Sequence, residues 1–549
     1  MQIRARLVDL HARRIFPAEI TLENGRIRRI QEVDQAPADA GFLLPGFVDA
    51  HVHIESSMLP PVEFARMAVV HGTVATVSDP HEIANVLGME GVQFMLDDAC
   101  RVPLKFCFGA PSCVPATGFE TAGAVLDATD VTHLLENPAI GYLSEMMNFP
   151  GVLHGDAEVL AKIAAAQRLD KPVDGHAPGL RGEDARRYFA AGITTDHECF
   201  TYEEGREKAL LGVTILIREG SAARNFEALW PLLHEFPEQV MFCSDDKHPD
   251  DLLNGHIDRL SARAVAKGCD LFDTLRAACL NPVQHYRLPV GLLREGDPAD
   301  FVRVTDLTDF RVLETWIGGV CVAENGKSHL PHQPSGTPNR FAALPKSPAD
   351  FHLPSRHGTG IVRIIRARDG EIVTGSEEGH ARMQDGLLLP YPAHDVLKIV
   401  VVNRYDPTAP PAIGFVRGFG LQRGALASSV AHDSHNIVAV GTDDASLCAA
   451  VNAVIEAKGG ISATDGAGDT RVLALPIAGL MSPMDGYELA REYARLDAWT
   501  KDTLHCALKA PFMALSFLAL PVIPALKMTD RGLFDVEVFG FVEVERGKL

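Results

Sequence analysis

Eight short apolar runs, rich in β-forming residues and closed by Gly, Pro or Asp, follow one another between Pro45 and Asp246. The first is the run 45–58, and the rest lie at 73–80, 104–111, 140–147, 172–178, 193–198, 214–220 and 240–246. Intervening segments such as 156–168 and 182–191 are rich in Ala, Leu, Glu and Arg, with apolar residues at helical spacing. Strands and helices alternating in this number predict an α/β chain built on a (β/α)8 TIM-like barrel. Barrel enzymes keep their chemistry at the C-terminal ends of the strands. The polar residues that close each run are therefore the first place to look for function.

The first run ends in His51 and His53. Side chains alternate along a strand, so residues two apart point the same way, and two imidazoles there can grip one divalent metal. Glu145 closes the fourth run, His176 the fifth (Asp174-Gly175-His176-Ala177-Pro178), His197 the sixth (Thr194-Thr195-Asp196-His197-Glu198) and Asp245 the eighth (Phe242-Cys243-Ser244-Asp245-Asp246). Any one of these could be a helix cap or a solvated loop residue. Together, at the matching ends of five runs, they read as a site.

The lead Pro45-Gly46-Phe47-Val48-Asp49 before His51 resembles the first barrel strand of the amidohydrolase superfamily. The extension His53-Ile54-Glu55-Ser56-Ser57-Met58 is similar to the bacterial adenine deaminase family within it. So are Ser78-Asp79-Pro80-His81-Glu82-Ile83-Ala84-Asn85-Val86, Ile217-Arg218-Glu219-Gly220-Ser221-Ala222-Ala223 and Asp245-Asp246-Lys247-His248-Pro249. The final third adds Ala431-His432-Asp433-Ser434-His435-Asn436-Ile437 and Ser516-Phe517-Leu518-Ala519-Leu520-Pro521-Val522-Ile523-Pro524.

The resemblance implies a ligand set. His51 and His53 hold one metal, His176 and His197 a second, and Glu145 bridges them. The fourth run has no lysine, so the carbamylated bridging lysine of some superfamily members is not available there. Asp245 binds the first metal and takes a proton from the nucleophilic water. Four imidazoles and two carboxylates suit Mn, Fe or Zn better than Cu(I) or Ca. The family favours two manganese or iron ions, with zinc as runner-up. The implied reaction is hydrolysis of adenine to hypoxanthine and ammonia by a dimetal-activated hydroxide. The alternative is another cyclic amidohydrolase acting on an amide or imide ring.

Further roles are expected for neighbours of the ligands. Glu219 is expected to contact N1 or N7 of the base, and His81 to support a metal ligand from behind or to shuttle protons. Glu55, Ser56, Ser57 and Arg218 are candidates for base recognition. His432, Asp433 and His435 either lean over the barrel mouth or serve only the C-terminal fold.

Other chemistries are excluded by what is missing. His81-Glu82 is followed by Asn85, so the HExxH zinc-protease motif is absent, and no Pro-Cys-x-x-Cys of the cytidine-type deaminases occurs. A net charge of −21 argues against nucleic acid as partner. The ten cysteines have no framework spacing and read as reduced thiols. Segment 510–526 is uncharged but short for a membrane span, and Pro511, Pro521 and Pro524 interrupt it, so a buried core segment is expected. The N-terminal residues show no signal-peptide core, and a cytoplasmic homodimer is expected.

With 549 residues, two to four domains are expected. The boundaries read as a β-sandwich from 1–44 plus 285–330, the barrel at 45–284, a linker at 328–354 and a separate α/β-type domain at 355–549. Short strands at 19–22 and 26–32 flank Asn24-Gly25, a hairpin turn.

Overall fold

The computed structural model describes residues 1–547. The eight apolar runs form the parallel strands Phe47–Val52, Thr73–Ser78, Lys105–Ala110, Ile140–Met146, Val173–Gly175, Thr195–Asp196, Thr214–Arg218 and Val240–Cys243. Pairing runs in chain order through the first five and through the last three. Two seams join these groups into a ring. Thr194 N donates to Val173 O at 2.9 Å, and Asp245 N donates to His51 O at 2.9 Å. The second seam ties the eighth strand to the first at two of the expected metal ligands.

One layer below, the Asp49 carboxylate accepts from Ser244 N at 2.9 Å and lies 2.7 Å from His256 Nε2. This staple holds the first and eighth strands in register, because a buried carboxylate stripped of such partners is strongly destabilising. The strands Phe47–Val52 and Thr73–Ser78 are buried along their whole length, as parallel strands covered on both faces should be. Helices Ala157–Arg168 and Gly182–Ala190 fill two of the intervening segments. Asp156 caps the first by accepting from Glu158 N and Val159 N.

Residues from both ends of the barrel segment build a flanking sheet of eight strands, from Gln2–Asp9 through Lys327–Ser328. Asn24 and Gly25 both take positive φ (50° and 75°), the backbone a tight hairpin turn needs. Ile27 near one edge and Trp316 towards the other share one apolar cluster with Phe16 and Phe301, so the sheet curls over its own core. Its strand Phe42–Pro45 runs straight into the first barrel strand, which anchors the His51–His53 end of the ring.

The C-terminal part is a second eight-stranded sheet, with Leu397–Val402 and Ile437–Gly441 at its centre. Helix Asp444–Glu456 covers one face through Leu447, Val451 and Val454, packed on Val400, Ala427 and Ala439. Helix Gly486–Leu504 reaches the barrel, where Tyr493 Oη lies 2.6 Å from His248 Nδ1. Segment 510–526 is the short helix Pro511–Phe517 followed by a largely buried turn. Among the described residues no helix is long and apolar enough to cross a membrane.

Candidate metal centre and active site

His51, His53, Glu145, His176, His197 and Asp245 converge at the C-terminal rim of the ring, all buried. The short fifth and sixth strands stop one residue before His176 and His197. Asp245 sits two residues past Cys243, with its backbone in the left-handed region (φ 52°).

The nitrogens His51 Nε2 and His53 Nε2 face each other at 3.2 Å. Asp245 Oδ1 lies 3.3 Å from His53 Nε2 and 3.6 Å from His51 Nε2. Glu145 turns its two oxygens opposite ways. Oε1 is 3.4 Å from His53 Nε2, whereas Oε2 is 2.7 Å from His176 Nδ1 and 3.1 Å from His197 Nε2. Donor atoms of His51, His53 and Asp245 lie within 4.8 Å of one another, as do those of His51, Glu145 and His197. One carboxylate shared between two imidazole clusters fits a pair of dications, and the donor set fits Mn, Fe or Zn.

The electrostatics agree with such a site. Burial alone would raise the pKa of Glu145, but His176 and His197 outweigh it and hold the carboxyl well below the usual range. Asp245 is likewise held low against burial, chiefly by Arg218, with help from His51 and His53. His176 goes the other way: Glu198 and Glu145 overcome its burial and push it up to about 9. Imidazole ligands bind a metal only when deprotonated, so metal and proton compete for such a site.

Several expected contacts are redirected. Strand alternation sends Arg218 into the cavity and Glu219 away from it. Glu219 pairs with Arg263 at 2.5 Å and is not among the residues lining the cavity. Arg218 is already engaged, donating to Glu198 Oε2 at 2.9 Å and to Asp245 Oδ2 at 2.6 Å. It orients Asp245 rather than offering a free fork to a ligand. Ser57 Oγ donates to Ile54 O at 2.6 Å, a local backbone bond that removes it from recognition. Glu55 accepts from Ile83 N at 3.2 Å, behind the cavity wall. Its carboxyl rises to about 7, mainly through burial. Ser56 Oγ donates to Asp246 Oδ1 at 2.5 Å and so steadies a residue that lines the cavity.

His81 lies at the edge of the cluster. Its Nδ1 is 3.1 Å from Asp79 Oδ2 and 3.5 Å from Glu145 Oε1, and its Nε2 is 3.4 Å from Glu82 Oε1. Asp79, Glu82, Glu198 and Asp246 are the buried acids that sequence reasoning did not place in the site. The signal was adjacency: each neighbours, or lies within two residues of, a candidate singled out for other reasons. The cavity's other wall comes from the C-terminal part: Ile372, His432, Asp433, Phe517, Leu520 and Ile523. The enclosed volume is about 30 Å³, room for one or two waters and far below the roughly 300 Å³ or more of small-molecule sites. The site is closed.

Comparisons with known proteins fit this geometry. Residues 42–322 match the amidohydrolase family, and residues 371–540 match the adenine deaminase C-terminal domain. The chain is 58% identical over 541 residues to an adenine deaminase of Salinibacter ruber, covering 98% of each chain. It is 55% identical to one from a Sulfurovum species, covering 99% of each. A third, from Methanosarcina acetivorans, is 53% identical, with 98% of each covered. An amidohydrolase barrel implies a divalent metal centre, and the buried His, Glu and Asp cluster is where this chain would hold it. The chain belongs to the adenine deaminase family of the metal-dependent amidohydrolase superfamily.

Proposed function

We propose that this protein hydrolyses adenine to hypoxanthine and ammonia. The observation that carries the reading is full-length kinship to adenine deaminases at up to 58% identity, barrel and C-terminal domain together. The rival reading, a cyclic amidohydrolase opening an amide or imide ring, gains nothing from a C-terminal domain that matches the adenine deaminase one.

His51, His53 and Asp245 would hold one dication, His176 and His197 another, with Glu145 between them. Manganese or iron is the preferred occupant and zinc the runner-up. Bound there, the pair supplies Lewis acidity that makes water nucleophilic at neutral pH. Asp245, kept ionised and aimed by Arg218, accepts the proton of that water. Oxygen adds to C6 as N1 takes up a proton; N6 then gains the second proton of the original water, and the C6–N6 bond breaks to release ammonia and leave C6=O with N1–H. His81, between Asp79, Glu82 and Glu145, is placed to move protons between the buried acids and the base. The apolar wall of Ile372, Phe517, Leu520 and Ile523 excludes bulk water. Because the cavity is smaller than the base, part of its lining must shift to admit it.

The same reading places the protein in purine salvage as a cytoplasmic homodimer, and assigns the flanking sheet to 1–44 plus 285–330, the barrel to 45–284 and the C-terminal domain to 355–549. The decisive test is purified, manganese-loaded protein offered adenine, adenosine, guanine, cytosine and a hydantoin. Ammonia and hypoxanthine from adenine are expected, with little or no turnover of the rest. Ring opening of the hydantoin with adenine untouched would leave only the superfamily assignment standing.

A further inference from the structure

Loop 429–436 follows the strand Ala425–Ser428 and carries His432 over the barrel mouth. The imidazole is fixed on three sides, by Glu82, by Phe517 and by the edge of His435, whose ring centroid is 6.0 Å away. Its Nδ1 is hydrogen-bonded to one oxygen of Glu82, on the barrel helix His81–Leu87. The other Glu82 oxygen is held by His435 Nε2, so a single carboxylate is gripped by two imidazoles from the C-terminal domain. The ring of His432 also stacks on Phe517, with centroids 4.4 Å apart and planes at 23°.

The fourth side is open. His432 Nε2 is buried, has no hydrogen-bond partner among the described residues and belongs to a side chain lining the cavity. Its nearest carboxylate oxygen, Asp246 Oδ1, is 4.0 Å away, beyond hydrogen-bond reach. A buried ring nitrogen left unpaired is costly, and a ring clamped this way cannot turn to find a protein partner. The acids around it decide what it offers. Burial disfavours the charged ring, but Glu82, Asp246 and Asp433 overcome this and raise its pKa to about 9. Nε2 therefore carries a hydrogen at neutral pH and is a donor.

We propose that His432 is a substrate-contacting residue whose Nε2–H donates to a ring nitrogen of the bound 6-aminopurine, with Glu82 and Phe517 fixing its direction. The proposal rests on the adenine reading above and assigns the C-terminal domain a direct part in it. Adenine presents unsubstituted ring nitrogens as acceptors. A donor placed on one of them draws electron density from the ring as oxygen adds at C6. A purine with carbon at that position would leave Nε2–H buried and unpaired, the situation in which polar sites discriminate most strongly.

The test compares adenine with its 1-, 3- and 7-deaza analogues in the metal-loaded wild type and in His432→Phe, which keeps the stack on Phe517 and loses the donor. Wild type should lose at least about 10–100-fold in kcat/KM on one analogue, as for one hydrogen bond to a charged group. His432→Phe should lose a similar factor on adenine, bring adenine and that analogue within a few-fold of each other, and keep the wild-type metal content. If His432→Phe does not fold, His432→Leu, which also lacks a donor, takes its place, and the same collapse of discrimination is expected. The proposal is overturned if the variant keeps wild-type kcat/KM on adenine, or loses activity while its preference among the analogues is unchanged. It is also overturned if wild type accepts all three analogues as readily as adenine. A wild type that releases no ammonia from adenine overturns the deaminase reading itself, which the other outcomes leave intact.

Discussion

Replacing Lys527 with methionine tests how the wall over the site is held. Lys527 lies on the strand Leu526–Thr529 with its side chain fully buried. Nζ donates to Ile372 O and Phe517 O, both at 2.9 Å, and both of those residues line the cavity. Two carbonyls satisfy the two hydrogens of a neutral amine, whereas an ammonium would bring a third with no acceptor. Burial accordingly pulls the pKa from 10.5 down to about 7.

The sign of the linkage follows. Between about pH 7 and 10.5 the unfolded chain holds a proton on Lys527 that the folded chain lacks, so this residue makes stability rise with pH across that window. At 1.36 kcal/mol per pKa unit, the ceiling is about 5 kcal/mol over the window. Lys527→Met removes the titration and leaves two carbonyls unpaired, at about 1–3 kcal/mol each. Thermal midpoints of the wild type and the variant, taken at pH 7, 8, 9 and 10, should diverge in favour of the wild type as pH rises. A gap that stays constant over that range would show that Lys527 remains charged when folded, and the reasoning would fail.

Two further outcomes concern the metal centre. Glu145→Gln removes the charge shared by the two imidazole clusters. Bound metal should fall to about one ion per chain or less, with turnover down by orders of magnitude as metal assistance is lost; two ions and near-normal turnover would refute the bridging role. Asp245→Asn should cost roughly 10²–10⁴ in kcat for loss of the proton acceptor, whereas Glu219→Gln, which touches only the outer Arg263 pair, should stay near wild type. Steady-state kinetics in which Glu219→Gln is the more damaged variant would reverse the assignment.

The barrel was legible because its signals are local. Period-two alternation places His51 and His53 on one side of a strand, and each remaining ligand closes its own apolar run. The same alternation could have excluded Glu219. Once Arg218 is taken as inward, its neighbour on the strand must face outward, and the structure seats it against Arg263. Ser57 shows a second local effect, since a hydroxyl in a tight turn can satisfy the backbone three residues earlier, as it does at Ile54 O. Glu55 lies two residues past His53 in the sequence. The turn Ile54–Ser57 swings it behind the wall, against the start of the helix His81–Leu87.

The roof of the site could not be read the same way. Glu82 and His432 are 350 positions apart, yet they share a buried hydrogen bond. Neither position has a periodic or turn signal that points to the other. Ile372, Phe517, Leu520 and Ile523 read as ordinary core residues, and in composition they are. Their apolar faces border a cavity whose other wall is mostly imidazole and carboxylate, with Arg218 among them. In that low-dielectric enclosure every charge pair in the cluster is strengthened, and every unpaired polar atom costs more. The C-terminal domain is therefore part of the chemistry in two ways: it excludes the water that would weaken the buried acids, and it supplies the imidazole of His432, whose free nitrogen faces the space where the base must sit.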